Sequence, residues 1–188
     1  MKHLEPKKIV LIGASTGGPG QIQKIINSLP KLQDATVIIA QHMVDGFMDS
    51  FANRFNNMNQ HSISVIKDNQ SFEKNNIYIC AGEVKLIDNH FSKKSASKNS
   101  FNPNINMLFN SFIPLCKNRE ILSVILTGIG DDGVMACKNL SINGARCITE
   151  SEDSAIVDGM PSRARLLVPN IEVYDIDKIV KTISEFCE

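Results

Sequence analysis

Two short apolar runs with a helical pattern between them constrain the fold most strongly. Residues 9–12 (IVLI) are wholly apolar and residues 36–40 (TVIIA) nearly so, as expected of strands that are buried on both faces. Between these runs, apolar residues recur at helical spacing from Ile22 to Leu29, and Pro30 marks the end of the helix. A strand, a helix and a second strand in so few residues predict two parallel strands joined by a right-handed crossover.

The alternation of strand and helix patterns continues along the chain. Strands are predicted at residues 61–67, 76–80, 121–126, 146–149 and 171–174, and helices at 46–55, 105–115, 134–140, from about 158, and at 176–183. Residues 83–87 and those from Phe91 onward flank a turn and predict an antiparallel hairpin. Phe47, Phe51 and Phe55 form one helical stripe that we expect in the core. We therefore predict one domain over residues 1–188, with an α/β fold: a three-layer, mostly parallel, doubly wound sheet with a small antiparallel hairpin.

Composition narrows the classes of function. Lys+Arg and Asp+Glu both number 20, so the net charge is +0 and implies no attraction to nucleic acid or to a membrane surface. The first eight residues lack the apolar core of a signal peptide, and no segment approaches the ~18 apolar residues of a membrane span. The 5 cysteines are scattered without a C-x-x-C pair, which indicates reduced thiols rather than a disulfide framework or a zinc site. We expect a cytoplasmic protein without a metal, a nucleic-acid partner or membrane insertion.

A glycine-rich turn follows the first strand and admits three functional interpretations. The dinucleotide fingerprint G-x-G-x-x-G is broken because Ser15 occupies its second glycine position, and a phosphate loop would need a lysine where Pro19 stands. The pattern G-x-S-x-G fits residues 13–17 and is typical of a nucleophile elbow, in which a serine hydroxyl is exposed at the end of a strand. Backbone N–H groups at the following helix start could bind an oxyanion. The alternative is an ordinary Gly/Ser turn that has no catalytic or binding role.

Two further strand ends carry side chains that could assist a serine nucleophile. His42 follows the second strand, so it is expected beside Ser15 at the same edge of the sheet. Asp131 and Asp132 lie in the turn after the strand at 121–126. We expect one of these acids to cap N–H groups at a helix start and the other to orient the His42 imidazole. The polar segment that starts at Ser92 is predicted to be a surface loop, and the role of residues 92–104 stays open.

With these motifs in hand, the chain resembles the catalytic domain of the bacterial chemotaxis protein-glutamate methylesterase. The matching stretches are residues 12–18 (IGASTGG), 41–43 (QHM) with Gly46-Phe47 and 50–52 (SFA), 125–133 (ILTGIGDDG) and 159–161 (GMP). These stretches occur in the same order as in the family, and they extend over nearly the whole chain from residue 9. The resemblance implies that Ser15, His42 and Asp132 are the catalytic triad. The order Ser, His, Asp differs from that of α/β-hydrolases.

The resemblance also implies a reaction and a partner. The substrate would be a γ-methyl glutamate of a methyl-accepting chemotaxis receptor, with deamidation of receptor glutamines as a second reaction and no cofactor. Backbone donors from Thr16 and Ile129 would hold the oxyanion, and Met160 is a candidate pocket residue. The first strand begins at residue 9, so no receiver domain is expected in this chain. A catalytically inactive module of the same fold that binds receptor or nucleotide is the alternative.

Overall fold

The computed structural model describes residues 4–58, 61–95 and 102–188, which form two sheets. Seven parallel strands make the central sheet: β1 (Lys8–Ala14), β2 (Ala35–Gln41), β3 (Ser62–Val65), β5 (Asn76–Ile79), β8 (Glu120–Ile125), β9 (Arg146–Glu150) and β10 (Glu172–Tyr174). Their order is β10-β9-β8-β1-β2-β5-β3. The small sheet is antiparallel and contains β4 (Gln70–Ser71), β6 (Glu83–Ile87) and β7 (His90–Lys94). The predicted α/β class and the hairpin are confirmed, and β4 extends the hairpin to three strands.

Helices cover both faces of the central sheet. They are α1 (Gly18–Ser28), α2 (Met48–Met58), α3 (Ile105–Asn110), α4 (Val134–Ile142), α5 (Met160–Leu167) and α6 (Ile176–Cys187), with short 3-10 helices at Asp45–Phe47 and Ile113–Lys117. Val10 and Ile12 of β1 face the core shared with α1, α2 and α6, whereas Ile9 and Leu11 face α3, α4, α5 and the small sheet. Burial on both faces explains why the first strand is wholly apolar.

The strand order reverses next to β1. The chain adds β2, β5 and β3 on one side of β1 and then returns with β8, β9 and β10 on the other. After β1 the chain enters α1 on one face, and after β8 it enters α4 on the opposite face. The two connections therefore diverge at the C-terminal edge of the sheet and leave a crevice there, the usual place for a ligand in such folds.

Three local predictions need correction. Phe47 is exposed, because it lies in the 3-10 helix before α2, so only Phe51 and Phe55 of the predicted stripe pack on the core. Residues 92–94 belong to β7 rather than to a loop, because they pair with residues 83–85 of β6. Residues 96–100 of the predicted loop lie outside the described residues. The predicted helix at 105–115 is divided into α3 and a 3-10 helix.

Within the described ranges, no helix combines the length and the apolar character needed to cross a bilayer.

Candidate active site

Ser15 lies on a tight turn between β1 and α1, which we call the serine turn (residues 14–18). Gly17 has a φ of +86°, which favours glycine, and α1 begins directly after it with Pro19 in its first turn. The Ser15 N–H donates to Thr127 O at 3.0 Å, and Ser15 O accepts from Gly18 N at 2.9 Å. The strand-to-helix turn that the G-x-S-x-G pattern predicts is therefore present, and it is fixed from both sides of its backbone.

His42 follows β2 and lies next to the serine turn. The strand register pairs Ala14 with Gln41, and His42 N donates to Ala14 O at 2.9 Å. Ser15 and His42 are thus the next residues along two adjacent strands. The sequence analysis overlooked Gln41, whose amide nitrogen donates to Ser15 O at 2.7 Å and to His42 O at 2.9 Å. This buried side chain ties the two strand ends together.

Asp132 contacts His42 from the turn after β8, which we call the acidic turn (residues 127–133). Its Oδ2 lies 2.8 Å from His42 Nε2, and its side chain is only 2% exposed. The same carboxylate accepts from the backbone N–H groups of Ile105 at 2.8 Å and Asn106 at 3.0 Å, at the start of α3. Asp131, in contrast, is exposed. A single acid therefore has both functions that the sequence analysis had divided between two, and the helix that it caps is α3 rather than α4.

The proposed oxyanion donors lie on the two turns that flank Ser15. Within the described part of the chain, the N–H groups of Thr16 and Ile129 make no hydrogen bond. Gly128, which precedes Ile129, is so close to Ser15 that an added Cβ would lie 2.6 Å from Ser15 Cβ. Met160 N donates to Gly128 O at 2.8 Å, and the Met160 side chain is fully buried. Met160 thus stabilises the acidic turn from the buried side, through its backbone N–H group.

Three asparagines near Pro103 have structural roles. Each accepts one hydrogen bond from a backbone N–H group through its side-chain oxygen: Asn102 from Gly82 at 2.9 Å, Asn104 from Met107 at 2.8 Å and Asn106 from Ala136 at 2.9 Å. Asn104 is the N-cap of α3. Asn104 thus caps α3, Asn106 joins α3 to α4, and Asn102 joins the segment before α3 to the residue before β6.

A cleft of about 420 Å³ opens beside the acidic turn. It is lined by Gly130, Asp131, Asp158, Gly159, Ser162 and Arg163. A larger cavity, of about 600 Å³, lies between α2 and residues 63–68 and is not lined by Ser15, His42 or Asp132. We assign the functional site to the crevice at the strand ends because the interacting polar side chains converge there and not in the larger cavity.

Comparison with known proteins identifies a family with this architecture. A family model described as CheB methylesterase matches residues 10–183. The protein-glutamate methylesterase/protein-glutamine glutaminase 2 of Carboxydothermus hydrogenoformans is 34% identical over 174 residues, covering 84% of this chain and 47% of that protein. The corresponding Bacillus subtilis protein is 36% identical over 166 residues, covering 84% and 46%. The chain thus spans about half the length of these curated relatives.

A solved structure shares the whole fold. The crystal structure of the Thermotoga maritima CheB methylesterase catalytic domain matches with a TM-score of 0.82 and 27% sequence identity, covering 97% of this chain and 99% of that one. The family model extends from β1 into α6, so it includes all three strand ends that meet at the crevice. On the agreement of family model, relatives and fold, the chain belongs to the CheB methylesterase family.

Proposed function

We propose that this chain is a serine hydrolase that removes methyl esters from glutamyl γ-carboxylates of chemotaxis receptors in the cytoplasm. The observation that carries the proposal is the contact between His42 and the buried Asp132, directly beside the serine turn. A nucleophile, a base and an acid that orients the base are the parts that acyl transfer through a serine needs. The relatives named protein-glutamate methylesterase/protein-glutamine glutaminase support the choice of ester and amide substrates.

We assign the roles of the three side chains from the contact between His42 and Asp132 and from the position of Ser15 at the adjacent strand end. Asp132 accepts at Nε2 of His42, which favours the tautomer that has its proton on Nε2 and leaves Nδ1 as the base. Nδ1 takes the proton of Ser15 Oγ as this oxygen attacks the ester carbonyl, and Asp132 stabilises the imidazolium that forms. The negative charge on the carbonyl oxygen is held by the N–H groups of Thr16 and Ile129.

Collapse of the tetrahedral intermediate breaks the bond to the methoxy group. His42 returns the proton, so methanol leaves and an acyl-Ser15 ester remains. Water then attacks this ester with His42 again as the base, which releases the glutamate carboxylate and restores the serine. A receptor glutamine follows the same path with ammonia as the leaving group. The cleft beside the acidic turn is lined by neighbours of Asp132 rather than by the three proposed catalytic residues, and we propose that it takes the receptor segment that flanks the ester.

The test is methanol release from methylated receptor membranes, with labelling of the protein by a fluorophosphonate as a second measurement. We expect the wild-type chain to release methanol and to be labelled at Ser15. Ser15→Ala should abolish labelling and lower the rate by about 10⁴-fold or more. Ser184→Ala is the matched control, since this serine lies on α6 and donates to Ser28 O. A wild-type chain that binds receptor but neither releases methanol nor is labelled would instead be an inactive binding module.

A further inference from the structure

Glu150 is a fully buried carboxylate behind the active site that the proposed reaction does not use. It ends β9, and none of its surface is exposed. Its Oε2 accepts from Thr127 N at 3.0 Å, and its Oε1 accepts from Gln21 Nε2 at 2.6 Å and from Ser154 Oγ at 2.8 Å. The structure shows a carboxylate surrounded by three hydrogen-bond donors.

These donors connect Glu150 to both turns of the active site. Thr127 is the first residue of the acidic turn; its carbonyl oxygen accepts from Ser15 N at 3.0 Å, and its hydroxyl donates to Thr16 O at 2.9 Å. Gln21 belongs to α1, which begins at the serine turn. Glu150 therefore binds the acidic turn through Thr127 and the helix that follows the serine turn through Gln21.

An ionised carboxylate suits this position because it only accepts hydrogen bonds. A protonated carboxyl or an amide would direct a donor of its own at one of the three donors around it, so that donor would have to turn away. The Thr127 N–H is fixed by the backbone, which leaves Gln21 or Ser154 to move. Loss of the Gln21 contact would separate Glu150 from α1 and so loosen the link between the two turns.

We propose that Glu150 is a positioning residue that holds the serine turn and the acidic turn in register through its carboxylate. The inference rests on the proposed function, since its readout is the rate of the Ser15 reaction. Glu150 touches neither the serine nor the histidine in any hydrogen bond described above, so it acts through Thr127 and Gln21. A shift of the turns would move Ser15 relative to the oxyanion donors, and rates are sensitive to such displacements.

The charged groups around Glu150 determine how its titration affects the enzyme. Burial raises the pKa of the Glu150 carboxyl, and the hydrogen bonds from Ser154, Thr127 and Gln21 and the charge of Lys24 on α1 oppose this only in part. On α5, Arg165 donates to the backbone oxygen of Glu150 and is paired with Asp158. Acid should therefore neutralise Glu150 at a higher pH than an ordinary glutamate.

The experiment compares kcat for methanol release between the wild type and Glu150→Gln across pH. The amide keeps the shape of the side chain but behaves like the protonated acid. We expect the variant to lose about tenfold in kcat at pH 8 with little change in KM. We further expect the ratio of wild-type to variant kcat to fall towards one as acid protonates Glu150. An effect of pH that is common to both proteins cancels in this ratio.

Glu172→Gln is the matched control, because Glu172 begins β10, the strand beside β9, and its carboxylate pairs with Arg146 instead of with an active-site turn. Its ratio should stay near one at every pH. If the wild type is active but the kcat ratio for Glu150→Gln is the same at every pH, the positioning role of Glu150 is contradicted. The proposed function of the chain is not affected by that result. If the wild type neither releases methanol nor reacts with the fluorophosphonate, the proposed function fails and the positioning role fails with it.

Discussion

Asp132→Asn is the substitution that most directly tests how the site is built. Asp132 Oδ2 accepts from His42 Nε2 and from Ile105 N, both at 2.8 Å, and Oδ1 accepts from Asn106 N at 3.0 Å. An asparagine has one acceptor oxygen and one NH₂ group, so it cannot serve all three donors. Wherever the NH₂ group lies, at least one backbone N–H at the start of α3 loses its partner.

The two orientations of the amide have different effects on the rate. With the NH₂ group at the Oδ1 position, His42 keeps an acceptor but loses the negative charge that stabilises the imidazolium. With the NH₂ group at the Oδ2 position, His42 must accept at Nε2, so its proton moves to Nδ1 and the base towards Ser15 is lost. We expect a fall in kcat of between about 10²- and 10⁴-fold.

The same substitution should destabilise the fold. A buried N–H without a partner costs about 1–3 kcal/mol. For a chain of this size this corresponds to a fall in Tm of roughly 2–12 °C. Thermal unfolding and methanol release, measured on the same preparation, test both effects.

Asp131→Asn makes the same chemical change one residue earlier, on an exposed side chain. Since Asp131 lines the cleft assigned to the receptor segment, its effect is expected on KM, whereas kcat should stay within about twofold and Tm unchanged. An Asp132→Asn protein with a rate within about threefold of the wild type would refute the argument. So would a loss of rate in Asp131→Asn alone.

Two further predictions concern other parts of the fold. Gly128→Ala should lower kcat by about 100-fold or more, because its Cβ would lie 2.6 Å from Ser15 Cβ. Gly20→Ala, whose Cβ meets nothing within 4 Å in α1, should instead keep the rate and add about 0.5–1 kcal/mol of stability in chemical denaturation. Arg146 lowers the pKa of Glu172 from 4.5 to about 2, so the stability that this pair contributes is present above pH 4.5 and is lost as the pH falls towards 2. Glu172→Gln should remove this part of the pH dependence of the free energy of unfolding. If the variant loses as much stability as the wild type between these pH values, the prediction is contradicted.

The position of the site could be predicted from the sequence because it depends on strand ends. Apolar runs located β1, β2 and β8, and parallel strands bring their C-terminal ends to one edge of a sheet. Ser15, His42 and Asp132 follow those three strands within a few residues. Strand ends therefore predicted the edge of the sheet at which the candidate site lies, whereas the choice of Asp132 over Asp131 came from the family resemblance.

The contacts that hold the site in place could not be predicted in this way. Glu150 and Thr127 are 23 residues apart, and Asp132 and Ile105 are 27 apart. Such pairs leave no periodic signal, since a single polar residue after a strand looks the same whether it is exposed or buried. Glu150 illustrates this, because Glu152 and Asp153 follow it closely and nothing in this acidic stretch marks Glu150 as the buried residue.

The double role of Asp132 links the chemistry to the fold. A carboxylate that accepts only from His42 could be replaced with little effect on stability, and one that only caps α3 could be replaced with little effect on rate. Here Oδ2 accepts from both His42 and Ile105, so the orientation of the His42 ring depends on the position of α3. The asparagines that hold α3 therefore belong to the support of the active site, although they lie outside it. We therefore expect Asn104→Ala, which removes the N-cap of α3, to lower the stability of the fold. It should also lower the rate, because a shift of α3 moves Asp132 and with it His42, while Ser15 stays in place.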